Sequence, residues 1–143
     1  MTKKSVFKTI LITGVAAVVC AAAGKGVTAV KKEAVVLNVL KDIPYAAEGM
    51  GKRKLVDAKH LLLMQVALKP GQEVPQHNAN SNVHLLVVRG SVVINLDGAD
   101  VAAEEGSLVP VAKGTPMNVK NASSADASFL ILKTPNPGEM MKK

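Results

Sequence analysis

The sequence predicts an all-β fold, a small sandwich or barrel, behind an apolar N-terminal segment. Three observations carry this. From Lys59 onward, short apolar runs alternate with turn signals about every eight to twelve residues, the rhythm of β-architectures. Beyond the first segment no long run repeats with the 3.6-residue period of an amphipathic helix. At 143 residues the chain is long enough for one ordinary domain and too short for two.

The elements follow in order. Lys3, Lys4 and Lys8 precede "TILITGVAAVVCAAAG", an uncharged run of roughly 16 residues that a helix would extend over about 24 Å, short of a hydrocarbon core of about 30 Å. A basic start, an apolar middle and small residues at Ala21 and Ala23 predict a secretory signal peptide over 1–29. A helix kept as a membrane anchor is the alternative, and lipidation of Cys20 a third, against which the bulky Val18 and Val19 count. Residues 30–60 read as an N-terminal arm and linker, with an edge strand at Val35–Val39 and a loop at "EGMGKRK". "HLLLMQVAL" is a strand stopped by "KPGQ"; "VHLLVV" is a strand stopped by Arg89-Gly90. "SVVINL" ends in the Asp97-Gly98 pair typical of a two-residue hairpin turn. Val101 and Ala102 begin the return strand, which "EEG" ends. "SLVPV" and "MNVKN" flank "AKGTP". "ASFLILK" is the last strand, and the prolines of "TPNPG" forbid its continuation. Residues 138–143 read as a basic tail.

Composition narrows the function. Cys20 is the one cysteine, so a chain cleaved after it has no thiol and no disulfide. The net charge of +7 is concentrated toward the two ends. From His77 to Leu132 the chain is slightly acidic. One tyrosine and two phenylalanines offer no platform for stacking bases, which sets nucleic acid aside. Contact with a membrane is expected through the N-terminal segment alone, and the expected location is periplasmic or secreted.

The chemistry-bearing residues sit in two glycine-bounded stretches. In "PGQEVPQHNANSNVHLLVVRG", Gly71 is followed by five residues and then His77, and six residues separate Val83 from Gly90. In "GSLVPVAKGTPMNVKN", the landmarks are Gly106, Ala112, Gly114, Met117 and Asn121. These two stretches resemble the two motifs of the cupin superfamily, over roughly 61–137. The resemblance implies a double-stranded β-helix, a jelly-roll barrel at residues 61–137. It also implies four positions around the barrel mouth where a typical member carries three histidines and a glutamate gripping a divalent metal. Here those positions hold His77, Ala79, Val83 and Met117. His77, Ala79 and Val83 share parity, so on a regular extended path they face the same way.

Ala79 and Val83 have no donor atom. The expected site is therefore a ligand pocket lined by His77, Ala79, Val83, Leu85 and Met117. No cofactor is expected, copper or another divalent metal held by His77, Met117 and His84 being the alternative. His84 turns inward only if "NANSN" holds a bulge; with regular alternation it faces solvent. Met64 would add a second thioether. Asn78, Asn80 and Asn82 line a polar loop whose composition turn chemistry already explains. No paired carboxylates, nucleophile elbow or phosphate loop appears, so the sequence leans away from an enzyme. The expected partner is a small molecule or a protein, with a homodimer through the outer sheet as a structural reading.

Overall fold

The computed structural model describes residues 34–142. The expected signal peptide or anchor at 1–29 lies outside these residues. Among the described residues no helix is long and apolar enough to cross a membrane.

Nine strands form two antiparallel sheets. They are β1 (Gly51–Ala58), β2 (Leu61–Leu68), β3 (Glu73–Asn78), β4 (Asn82–Arg89), β5 (Ser91–Leu96), β6 (Ala99–Glu104), β7 (Leu108–Val111), β8 (Pro116–Lys120) and β9 (Ala127–Thr134). The first sheet runs β1-β2-β9-β4-β7 and the second β3-β8-β5-β6. Strands distant in sequence lie side by side, which gives the jelly-roll topology. A helical turn, α1 (Pro137–Met140), follows β9. Asn136 caps it with Oδ1 on the Gly138 amide, and its Nδ2 donates to Asp57 on β1.

Alternation decides what each strand buries. On β4 the side chains of Val83, Leu85 and Val87 are buried and those between them are not. They meet Val66, Leu68, Phe129, Val92, Ile94 and Val119 in one core between the sheets. Burying a side chain of this size removes it from water at a gain of about 1.5–3 kcal/mol.

Two turns explain why glycine stands where it does. Asp97 and Gly98 both have positive φ, 50° and 87°, as the two-residue turn of a right-twisted hairpin demands. Gly90 has φ 69°, and a Cβ there would lie 2.5 Å from the Asp126 carbonyl oxygen. Asn121, the last landmark of the second motif, is fully buried and works as a staple. Its Nδ2 donates to the carbonyls of Leu68 and Ala125, and its Oδ1 accepts from Ser123.

The N-terminal part departs from expectation. Val35–Val39 is not a strand, and no ladder pairs it. The segment is held by side chains instead. Arg53 donates to the carbonyls of Asp42 and Lys41 at 3.0 and 3.2 Å. Gln65 donates to the Val39 carbonyl and to Ser128. Conversely, "GKRK", expected as loop, opens strand β1, so strand structure begins at Gly51 rather than Leu61. Its ladder to β2 supplies the partner that its basic side chains do not advertise. The expected tail 138–143 begins inside α1.

Candidate functional site

A cavity of about 330 Å³ opens between the inner faces of the two sheets. Three strands of the first sheet furnish its floor and one wall: Met64 and Val66 from β2, Val83 and Leu85 from β4, Phe129 and Ile131 from β9. The second sheet supplies Val74 and His77 from β3, with Met117 and Val119 from β8. Met50, Lys52, Pro75, Gln76, Ala79 and Lys133 complete the lining.

The backbone explains how β3 aims two side chains into this space. Val74 pairs with Val119 and His77 with Met117, so three steps on β3 match two on β8. The extra residue is a bulge, and Pro75, which has no amide hydrogen to give the ladder, lies within it. Without the bulge, Val74 and His77 would face opposite ways. The loop after β3 is clamped through its backbone. The Ala79 amide donates to Thr115, and the Gly114 amide donates to the Ala79 carbonyl. This anchorage does not depend on the side chain at 79, and it sets the Ala79 methyl, 3% exposed, against the cavity.

Each expected site residue can now be placed. His77, Ala79, Val83, Leu85 and Met117 all line the cavity. Ala79, Val83, Leu85 and Met117 are buried, whereas His77 is exposed at the mouth. His84 does not line it. Strand β4 runs without a bulge from Asn82 to Val87 in its ladder with β9, so His84, between inward Val83 and Leu85, takes the opposite face. There it pairs across the sheet with Leu132 and Pro110. Asn80 and Asn82 serve the loop. Asn80 Oδ1 accepts from Lys133 Nζ at 3.1 Å, and Asn82 Oδ1 accepts from the Lys113 amide.

His77 Nδ1 lies 2.9 Å from the Pro75 carbonyl oxygen. A carbonyl only accepts, so Nδ1 carries the proton, and in neutral imidazole Nε2 keeps the free lone pair. That is one nitrogen donor. Ala79 and Val83 contribute none, and Met117 contributes a soft thioether. Among the described residues, no group of three or more His, Cys, Asp or Glu side chains comes together. Hard divalent ions take oxygen and imidazole ligands in sets of four to eight. The donors at these four positions do not fit such an ion.

Further lining residues escape a reading of motifs, among them Met50, Lys52, Phe129 and Lys133. Lys52 pairs with Val66, and Lys133 with both Leu62 and Val83, so both point to the inner face. Lys133 is half-buried. Burial holds its pKa below the usual lysine value. The signal for Lys52 and Lys133 was strand parity relative to an apolar neighbour, which is readable only once the ladders are known.

Relatives agree with this architecture. The Cupin domain family model matches residues 64–133. An uncharacterized protein of Methanocaldococcus jannaschii is 30% identical over 88 residues, covering 61% of this chain and 76% of that protein. Its crystal structure, described as an RmlC-like cupin family protein with a double-stranded β-helix fold, superposes with a TM-score of 0.64 at 24% identity, over 76% of this chain and 95% of that one. An RmlC-like cupin protein from Desulfovibrio desulfuricans gives a TM-score of 0.66 at 21% identity, over 72% and 98% of the two chains. A Klebsiella pneumoniae protein with a double-stranded β-helix domain gives 0.67 at 14%, over 72% and 91%. The jelly-roll topology, the spacing of the two glycine-bounded motifs and the M. jannaschii relative lead to one conclusion: this chain belongs to the cupin family.

Proposed function

We propose that this cupin is an exported, non-catalytic module that binds a small, largely apolar ligand in the barrel cavity. One observation carries the reading. The four positions that the motifs place around the mouth converge on a single apolar cavity, and just one of them, His77, brings a nitrogen donor. A concave, apolar site with a few polar groups at its mouth is the usual form of a small-molecule pocket. His77 acts as a polar handle there, its ring oriented by the Pro75 carbonyl. The basic, then apolar, start of the sequence supports export to the periplasm or beyond.

A second reading is favoured by a specific feature of the lining. Met50, Met64 and Met117 face the same cavity as His77, and thioethers with one imidazole suit copper(I). Metal loading separates the two. The full chain is incubated with zinc(II), manganese(II), iron(II) and, under reducing conditions, copper(I), then desalted, and its metal is quantified. The ligand-binding reading expects none of these metals in stoichiometric amount. Stoichiometric copper that is lost in both His77→Ala and Met117→Leu establishes the second reading. Stoichiometric zinc, manganese or iron lost in His77→Ala overturns both.

A further inference from the structure

We propose that the ligand of this cavity is a singly charged aliphatic anion, of which a medium-chain carboxylate is the simplest, with its charge held by the ammonium groups of Lys52 and Lys133. This rests on the ligand-binding reading and names the class of molecule. The reasoning begins with a cost. A cavity meant for a neutral apolar guest has no use for cations in its lining, and yet two lysines are there. Lys133 is half-buried and Lys52 is exposed; partial burial deprives the Lys133 ammonium of hydration, and folded proteins normally compensate such a group with a carboxylate.

That compensation is missing. No aspartate or glutamate lines the cavity. The hydrogen bond described for the Lys133 ammonium goes to the neutral amide oxygen of Asn80. The acids closest to this end of the barrel are already engaged. Asp57 accepts from Lys54 and Asn136, and Glu139 accepts from Lys142. Those two lysine–carboxylate contacts are the salt bridges among the described residues, and neither includes Lys52 or Lys133. Positive charge at the cavity therefore has no carboxylate partner among the described residues, and a bound anion would supply one. Burial is what lowers the Lys133 pKa, and a bound anion would oppose that shift.

Size and lining supply the rest. The cavity lies near the lower end of the roughly 300–1,000 Å³ typical of small-molecule sites. Beyond the lysines the inner lining includes Met64, Ile131 and Phe129, and the remaining polar residues, Gln76 and His77, are exposed on β3. A short unbranched tail with one anionic end matches this division.

The test uses three probes of equal length, octanoate, 1-octanol and octylammonium, titrated calorimetrically into the full chain at low salt. Octanoate is expected to bind about tenfold more tightly than octanol, as one charge-assisted contact provides. Octylammonium is expected to bind most weakly. Lys133→Met should bring octanoate down to the level of octanol and leave octanol unchanged. This variant removes a partly dehydrated charge, so its melting temperature should equal or exceed that of the parent. Lys52→Gln provides the same comparison should Lys133→Met fail to fold. Equal binding of octanoate and octanol overturns the anion inference while the apolar pocket stands. Octanoate binding that neither substitution weakens overturns the lysine clamp. Absence of saturable binding by any probe overturns the pocket reading and this inference together.

Discussion

Met117 separates packing from coordination more sharply than any other residue of the cavity. It is 3% exposed, and β8 sets it beside His77 on one flank and Leu96 on the other. Truncation to alanine removes the whole side chain beyond Cβ. In a closed core, Met→Ala costs about 2–5 kcal/mol, the spread reflecting the void left behind. Met117 borders a cavity that already exists, so the vacated space merges with volume that is open at the mouth. The cost therefore belongs near the lower end, about 2–3 kcal/mol, or on the order of 10 °C in melting temperature for a domain of this size. Leucine restores nearly the same volume without the sulfur, and such exchanges cost less than about 1.5 kcal/mol. The assay is thermal and urea unfolding of both variants, followed by far-ultraviolet circular dichroism. Met117→Leu should melt close to the parent and Met117→Ala well below it. If leucine destabilises as much as alanine, shape does not account for Met117, and the sulfur has a role that the packing argument omits.

Two further outcomes follow from particular contacts. Gly90→Ala places a Cβ 2.5 Å from the Asp126 carbonyl oxygen at a positive φ, so the turn between β4 and β5 must shift; a loss of roughly 2–3 kcal/mol is expected, read as a lower urea midpoint with an unchanged m-value. Hydrogen bonds from Lys54 and then Asn136 hold the Asp57 carboxyl below its usual pKa. A lowered folded-state pKa stabilises above the unfolded value of about 3.9 and is lost as pH falls through the folded value. Asp57→Asn should therefore flatten the decline in melting temperature below about pH 4 and leave the acid side of that profile less steep.

Much of the fold could be read before any coordinates. The Asp97-Gly98 hairpin, the inward Val83–Leu85–Val87 series and the last strand are local facts, written in alternation and turn chemistry. What resisted reading was tertiary. Strand β1 is basic on both faces, and its ladder to β2 rather than its own composition makes it a strand. The bulge at Pro75 turns a three-residue spacing into a shared facing for Val74 and His77, whereas β4, which begins at the end of "NANSN", is regular through Val87. For the cavity, the motif positions were legible because the two glycine-bounded stretches carry them. Met50, Lys52 and Lys133 all come from outside those stretches. They reach the cavity through sheet order, which places β1 and β9 on either side of β2.

The strands that border the two sheets are all poor templates for another chain. Strand β1 carries Lys52, Arg53 and Lys54 in succession and loses register before Val56. Strand β7 has four residues, one of them Pro110. On the other sheet β3 is interrupted at Pro75, and β6 bears Asp100 and Glu104. Charge, proline and broken register each oppose the addition of a foreign strand, and with it the growth of fibrils. Extension of either sheet by a strand from a second copy is consequently disfavoured at every one of these edges.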